Sequence, residues 1–211
     1  MSYRLGLSIL QNNGKNQKNN LKEESKRILS IFENRQITEN DISKEPGGRP
    51  FFLNKDADFN LSHSGEAVAV SYIRGKNLKV GCDIEQVRSR SKIAKVAEEN
   101  FSKNENEFIF SCGILNEINF YKIWTLKECY IKLLGLSIFD MKKIPSFIDN
   151  GNFSFCADNS KPLSFKVYEI YNGNNIQYIL SEAVEGAYLL PEVIWLSSTS
   201  LNCKITTEIK N

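Results

Sequence analysis

Residues 119–135, NFYKIWTLKECYIKLLG, form the longest helical pattern in the chain and decide its fold. Plotted at about 100° per residue, the apolar side chains fill one broad sector, which predicts a helix buried against a sheet. These side chains are Phe120, Ile123, Trp124, Leu126, Tyr130, Ile131, Leu133 and Leu134. Lys127 falls inside the sector, while Glu128 lies at its edge and Lys132 lies one turn further on.

The charged residues of this helix have two interpretations. A lysine within an apolar stripe can extend its methylenes and bring its ammonium to the surface, and Glu128 with Lys132 can be an ordinary helix pair. Alternatively, two lysines and a carboxylate at the rim of a hydrophobic helix supply cations for a phosphate and a hard oxygen ligand for Mg²⁺.

A second acidic motif, VGCDIE at residues 80–85, lies in a strand predicted over residues 78–87. Asp83 and Glu85 fall on the same strand face, about 6 to 7 Å apart at Cα. Two anions so placed repel, and a solvent-exposed face is their ordinary environment. With Glu128 they would instead complete three carboxylate ligands for one Mg²⁺, and the absence of Cys and His from the set argues against zinc.

The stretch NLSHSGEAVAV at residues 60–70 contains the only histidine of the chain. Strand alternation puts His63 on the apolar face and its neighbours Ser62 and Ser64 on the opposite face. A half-buried histidine hydrogen-bonded to a nearby carbonyl is one interpretation. An imidazole presented with two hydroxyls to an anionic ligand, such as a phosphate, is the other.

The overall composition is typical of a soluble globular protein, with 41% hydrophobic and 25% charged residues and a formal net charge of +2. A charge this small gives no reason to expect nucleic-acid binding. The five cysteines form no C-x-x-C pair and no zinc spacing, which predicts reduced thiols in a cytoplasmic protein. The early apolar run LGLSIL is too short for a signal-peptide core or a bilayer span, so we expect no membrane attachment.

The predicted elements follow the order strand, helix, hairpin, then strand, helices, hairpin. This order predicts an α/β (α+β) fold of two similar halves that meet near Val80, each a small antiparallel sheet packed with a long helix. The expected halves are residues 1–79 and 80–211. A hairpin is predicted around Gly65, and further hairpin turns are predicted at 150–151 and 172–173. Helices are predicted around residues 21–35, 91–101, 103–111 and 116–136.

Three motifs, in this order and near these separations, resemble the 4'-phosphopantetheinyl transferases of the surfactin-synthetase-activating type. They are GGRPFF before FNLSHSG, then VGCDIE, then WTLKECYIKLLG. The resemblance covers roughly residues 45–136 and rests on the three motifs together, since any one alone is a weak signal. Members of that family transfer the 4'-phosphopantetheine arm of coenzyme A to a serine of an acyl or peptidyl carrier protein and release 3',5'-ADP.

The resemblance implies a role for each matching residue. Asp83, Glu85 and Glu128 would hold Mg²⁺, with Mn²⁺ as an alternative. Lys127, Lys132 and His63 would act in catalysis by neutralising phosphate charge. The contacts to coenzyme A would come from His63 and Ser62 with its phosphates, Arg49 and Pro50 with its nucleotide portion, and Lys127 and Lys132 with its pyrophosphate.

The family fold is a pseudo-two-fold arrangement with the donor in the cleft between the halves. The resemblance therefore implies a monomer that binds coenzyme A and docks transiently with a carrier protein that is acidic around its serine. The stretch before Gly48 is short for the family, so a basic helix there is expected to be shortened or absent. A tight preference for coenzyme A over dephospho-coenzyme A would then need another cation, such as Arg49 or Lys22.

In FSKNENEF, residues 101–108, the family pattern indicates Glu105 as the general base for the serine hydroxyl. Ser102 and Glu105 also match a capping box at a helix start, so a structural role stays open.

Two other functions are alternatives to transfer. A glycosidase-like pair of Asp83 and Glu85 leaves His63 and the helix lysines without a role. A non-catalytic carrier-binding module of the same fold is the second alternative, although the presence of all three expected metal ligands counts against it.

Overall fold

The structure, a computed structural model, describes residues 2–10, 17–157, 161–186, 192–195 and 201–210. Its helices are α1 (Gln17–Glu33), α2 (Ile93–Asn100), α3 (Lys103–Ile109) and α4 (Glu117–Leu134). Its strands are β1 (Ser2–Ile9), β2 (Ile42–Lys44), β3 (Pro50–Phe52), β4 (Ala57–Ser64), β5 (Ala67–Arg74), β6 (Lys79–Gln86), β7 (Ile148–Asp149), β8 (Asn152–Phe153), β9 (Leu163–Asn172), β10 (Asn175–Glu185), β11 (Glu192–Trp195) and β12 (Asn202–Lys210). Short 3₁₀ turns lie at Glu39–Asp41, Ser111–Gly113 and Ile138–Lys143.

Two four-stranded sheets form the framework of the described residues. The first sheet has the strand order β11-β1-β5-β4, and the second has the order β12-β9-β10-β6. Within them, β1 and β11 run parallel and the other neighbours run antiparallel. The mixed fold with antiparallel sheets is therefore confirmed, while the pseudo-two-fold relation and the division between residues 79 and 80 stay predictions. β11 belongs to the second half in sequence but pairs with β1 of the first sheet.

Helix α4 packs its apolar sector against β6 and β10 of the second sheet. Asn116 caps its start by accepting the backbone N–H of Asn119, and Gly135 ends it in the left-handed conformation. Gly81 of β6 faces the helix, where a Cβ would lie 2.3 Å from the carbonyl oxygen of Cys129. Because Gly81 has no side chain, β6 and α4 can approach closely. This approach brings the acidic residues of the strand near those of the helix.

Helix α1 covers the other side of the framework, on the first sheet. The buried cluster between them contains Leu21, Ile28, Leu29, Phe32, Phe59, Val68, Val70 and Tyr72. The turns at Gly65 and at 150–151 join β4 to β5 and β7 to β8, as predicted. The predicted hairpin of β9 and β10 also forms, with its turn at 173–174, one residue later than expected. The segment SKEPGGRP, residues 43–50, lies in the short hairpin formed by β2 and β3.

The two sheets meet where β4 lies against β6. Since β10 bonds one edge of β6, the other edge presents backbone N–H groups that need acceptors. Alternate β4 side chains, which we call the polar row, supply them. Asp58, Asn60, Ser62 and Ser64 accept the N–H groups of Val80, Cys82, Ile84 and Gln86, at 2.8, 3.2, 3.2 and 3.0 Å respectively. The polar alternation of β4 therefore joins the sheets and does not mark a solvent-exposed face.

A fully buried carboxyl group, Glu182 on β10, makes a second polar contact between the sheets. It accepts hydrogen bonds from Ser71 Oγ of the first sheet and from the hydroxyl of Tyr168 on β9, both at 2.9 Å. Burial raises the pKa of Glu182 to about 7, against the opposing effect of these hydroxyl donors. Hydroxyl groups of both sheets therefore satisfy this buried acid.

Among the described residues, Cys82, Cys129, Cys156 and Cys203 are free thiols. No helix in the described ranges has the length and apolar character needed to cross a bilayer.

Replacing Asn60 with Leu tests the polar row. The variant removes the acceptor of the buried Cys82 N–H, so we expect the free energy of unfolding to fall by about 1–3 kcal/mol. Chemical denaturation measures the loss. The same replacement at the exposed Asn202 is the matched control and should change stability by less than about 0.5 kcal/mol. Equal stability of the two variants would mean that the row contributes nothing to joining the sheets.

Candidate active site

Asp83 lies at the centre of a group of charged side chains between β4, β6 and α4. Its Oδ1 accepts hydrogen bonds from Ser62 Oγ at 2.8 Å and from the Lys132 ammonium at 2.6 Å. Its Oδ2 is buried and has no hydrogen-bond partner among the described residues. A buried carboxylate oxygen without a partner is unfavourable, so Asp83 has one oxygen available for a further cation or donor.

Lys132 reaches Asp83 from the last turn of α4. Its Nζ also donates to Ser62 Oγ at 2.9 Å. Burial acts to lower the pKa of Lys132, but nearby negative charge, above all that of Asp83, outweighs this effect and raises the pKa to about 12. Lys132 is therefore a fixed positive charge beside Asp83 at neutral pH.

Glu85 and Glu128 complete the group of carboxylates. Ser64 Oγ donates to Glu85 Oε2 at 2.9 Å, while burial and the charge of Asp83 raise the pKa of Glu85. The Glu128 carboxylate has no hydrogen bond or ion pair within the described part of the chain. Burial, Asp83 and Glu85 raise its pKa to about 7, despite the opposing charge of Lys132. The acidic residues of β6 and α4 are therefore close enough to disfavour one another's charge.

The chemistry of this group fits a hard divalent cation. Mg²⁺ binds carboxylate oxygens and keeps waters in its remaining positions, and Asp83 Oδ2 is an unsatisfied oxygen of that kind. Within the described ranges, no three His, Cys, Asp or Glu side chains already stand in the arrangement of a metal site. In the arrangement observed, the Lys132 ammonium is the cation that pairs with Asp83.

A cavity of about 470 Å³, which we call the α1 cavity, opens beside Ser62 and His63. Its basic lining residues are Lys22 and Lys26 of α1, Lys44 of β2 and His63. The His63 side chain is exposed, so its imidazole is accessible to a ligand in this space. The cavity has the size of a small-molecule site and a lining suited to anionic groups.

Pro50 lines the α1 cavity, but the guanidinium of Arg49 does not. The Arg49 side chain is buried and pairs with both oxygens of Asp58, at 2.9 and 2.5 Å. It also donates to the backbone carbonyl oxygens of Lys132 and Val80. Arg49 therefore joins β3, β4, β6 and the end of α4, and its donors are used within the protein.

Lys127 and Glu105 lie apart from the carboxylate group, as a buried pair. Their side chains are 1% and 0% exposed, and Lys127 Nζ lies 3.1 Å from Glu105 Oε2. Glu105 also accepts the backbone N–H groups of Ser102 and Phe147, each at 2.8 Å, so its capping box is formed. The expected contacts of Lys127 with pyrophosphate and of Glu105 with a serine hydroxyl both need exposure that neither side chain has. The pair instead joins α4 to α3 and to the segment before β7.

A smaller cavity of about 330 Å³, which we call the aromatic cavity, begins at Glu85. Its apolar walls are formed by Ile93, Val96, Phe120, Tyr121 and Trp124. Arg90 and Lys92 border it and are exposed. An apolar space with a positive border therefore adjoins the carboxylates on this side.

Sequence reasoning missed several residues of this region. Lys26 and Lys44 line the α1 cavity but were not singled out, although Lys22 and Lys26 have the i,i+4 spacing that places two side chains on one helix face. Asp58 was also missed, even though it continues the alternation of the polar row by one step. Helix α1 is the helix predicted around residues 21–35, and the expectation that the basic helix of the family is shortened or absent before Gly48 stays a prediction.

Separating the buried pair should affect stability. In Glu105→Gln the Lys127 ammonium loses its counter-ion in an apolar environment, so we expect the free energy of unfolding to fall by about 3–5 kcal/mol. The double variant Glu105→Gln with Lys127→Met removes both charges and should recover most of the loss. Denaturant unfolding of the wild type, both single variants and the double variant measures the effect. A Glu105→Gln variant as stable as the wild type would contradict a structural role for the pair.

The chain is similar in sequence to known proteins. The sequence model described as the 4'-phosphopantetheinyl transferase superfamily matches residues 79–190, which include β6 and α4. The chain is 35% identical over 97 residues to 4'-phosphopantetheinyl transferase gsp of Aneurinibacillus migulanus, covering 46% of this chain and 38% of the relative. It is 30% identical over 145 residues to 4'-phosphopantetheinyl transferase Sfp of Bacillus subtilis, covering 65% of this chain and 62% of that relative.

A third relative is 4'-phosphopantetheinyl transferase AcpT of Salmonella typhi, 32% identical over 103 residues that cover 48% of this chain and 53% of the relative. The chain spans about half the length of the first curated relatives it matches. Since the superfamily model covers more than half of the 211 residues, the chain belongs to the 4'-phosphopantetheinyl transferase superfamily.

Proposed function

We propose that this protein transfers the 4'-phosphopantetheine arm of coenzyme A to a serine hydroxyl of an acyl or peptidyl carrier protein, with release of 3',5'-ADP. The observation that carries the proposal is the group of Asp83, Glu85, Glu128 and Lys132 beside the α1 cavity. Carboxylates for a divalent cation and a lysine for phosphate oxygens are what pyrophosphate cleavage requires. Membership of the superfamily supports the same reaction class.

Asp83, Glu85 and Glu128 would hold Mg²⁺, or Mn²⁺ in its place. The bound ion would neutralise the pyrophosphate and stabilise the charge that develops on the leaving 3',5'-ADP. Ser62 positions the charged groups for this task, because its hydroxyl bonds both Asp83 and Lys132. Lys132 and the exposed His63 can then donate to phosphate oxygens of the donor.

Two residues expected at the reacting groups are left out of this proposal. Glu105 is fully buried and its oxygens already accept two backbone hydrogen bonds, so it is not placed to receive the serine proton. Lys127 is buried beside it and is not placed to touch the pyrophosphate. Arg49 has a supporting role, because it fixes the end of α4 that carries Lys132.

The aromatic cavity is the proposed approach for the acceptor, because it adjoins Glu85. Arg90 and Lys92 at its border would attract a carrier protein that is acidic around its serine.

We further propose that the protein acts as a monomer in the cytoplasm. Its free cysteines suit a reducing compartment.

The direct test is to incubate the protein with an apo carrier protein, coenzyme A and Mg²⁺, and to weigh the carrier by mass spectrometry. We expect a mass gain of one phosphopantetheine per carrier, and we expect a chelator such as EDTA to abolish it. Formation of a complex without the mass gain would contradict transfer and would support the alternative, a non-catalytic carrier-binding module.

Glu128→Gln is the variant that tests the metal ligands in this assay. It preserves side-chain size but removes one negative ligand, so we expect the transfer rate to fall at least about 100-fold. Glu99→Gln, at an exposed position on α2, is the matched control and should keep the wild-type rate. Equal rates for the two variants would remove Glu128 from the site.

A further inference from the structure

The α1 cavity contains an anion that belongs to the protein itself. Glu39, on the 3₁₀ turn Glu39–Asp41, places its Oε1 2.7 Å from Lys22 Nζ and 2.6 Å from Lys26 Nζ. All three residues line the cavity, together with Lys44 and His63. A carboxylate therefore occupies the point at which the positive charges of α1 converge.

The turn that carries Glu39 is fixed by contacts that do not involve the Glu39 side chain. Asp41 Oδ2 accepts the backbone N–H and the hydroxyl of Thr38, each at 2.8 Å, and Asp41 Oδ1 accepts Arg35 Nη1 at 2.7 Å. The Glu39 side chain is 64% exposed, and the two lysines are its only ion-pair or hydrogen-bond partners among the described residues. It can therefore turn toward solvent without a change in the backbone.

Coenzyme A brings two kinds of phosphate to this region. Its pyrophosphate contains the bond that breaks and belongs at Asp83 and Lys132 in the proposed function. Its remaining phosphate is a monoester on the ribose. Ser62, which bonds Asp83 and Lys132, lines the α1 cavity together with the lysines of α1. The monoester is therefore the anionic group of the donor that is available for Lys22 and Lys26.

We infer that Glu39 is a specificity-determining residue. Its carboxylate lies between Lys22 and Lys26, at the position of a phosphate, until the 3'-phosphate of the donor displaces it. This inference rests on the proposed function. A donor without the monoester leaves Glu39 in place and gains nothing from the two lysines. Glu39 thereby sets how strongly coenzyme A is preferred over dephospho-coenzyme A.

The exchange is favourable for two reasons. Exposed ion pairs contribute little to stability, so the contacts of Glu39 are readily replaced. A phosphate monoester carries between one and two negative charges and three acceptor oxygens, so it can bond both lysines at once. Hydrogen bonds from Lys22 and Lys26 also lower the pKa of Glu39 to about 2, so the competing carboxylate is charged at neutral pH.

Calorimetric titration of the full chain with each donor, in Mg²⁺ and without a carrier protein, tests the inference. Glu39→Gln removes the competing charge, so we expect the affinity for coenzyme A to rise about threefold to tenfold. The affinity for dephospho-coenzyme A should change by less than about twofold, because this donor does not need the two lysines.

Glu23→Gln is the matched control. Glu23 also pairs with Lys26, at 2.9 Å, but does not line the cavity, so its removal should change both affinities by less than about twofold. An equal gain for both donors in Glu39→Gln, or no gain for either, would overturn the role of Glu39 without affecting the carrier mass assay. A wild-type protein that binds neither donor would overturn the proposed function as well.

Discussion

The outer edge of β6 is the constraint on which the rest of this structure depends. Its backbone N–H groups are buried between the sheets, and an unpaired buried N–H is unfavourable, so β4 must supply an acceptor at every second residue. Two of these acceptors are hydroxyls that also donate: Ser62 to Asp83 and Ser64 to Glu85. The bonds that join the sheets are therefore the same bonds that orient the acidic residues of β6. A strand register shifted by one residue would lose both functions together.

The second consequence is electrostatic. Gly81 allows α4 to lie directly against β6, and this contact brings Glu128 and Lys132 to the acidic face of the strand. Lys132 pairs with Asp83, while burial and, after it, the charge of Asp83 raise the pKa values of Glu85 and Glu128. The excess of carboxylates and the unsatisfied oxygen of Asp83 suit the cation that we propose for this site. A similar principle operates in the α1 cavity with the signs reversed, since converging lysines recruit Glu39 as a temporary anion.

Local patterns predict much of this fold. The apolar sector of α4, the hairpin turns after Asp149 and after Asn172, and the capping box at Ser102 each follow from a few neighbouring residues. Sequence could not distinguish the fates of Lys127 and Lys132, because both lie on one helix and only tertiary packing encloses the first in the core. The same limit applies to Arg49, whose partners are backbone and side-chain groups on three other elements. The pairing of Glu39 with α1 also depends on the path of the chain between them.

Location of the bound ion is the most direct test of the central claim that β6 and α4 build one cation site. The measurement is the anomalous difference density of a crystal grown with Mn²⁺ and coenzyme A. The account predicts one strong peak within coordination distance of carboxylate oxygens from Asp83, Glu85 and Glu128, with Lys132 moved toward the pyrophosphate. A peak whose coordinating oxygens do not include those of Glu128 would contradict a shared cation site of β6 and α4. The absence of any peak while coenzyme A is bound would contradict it as well.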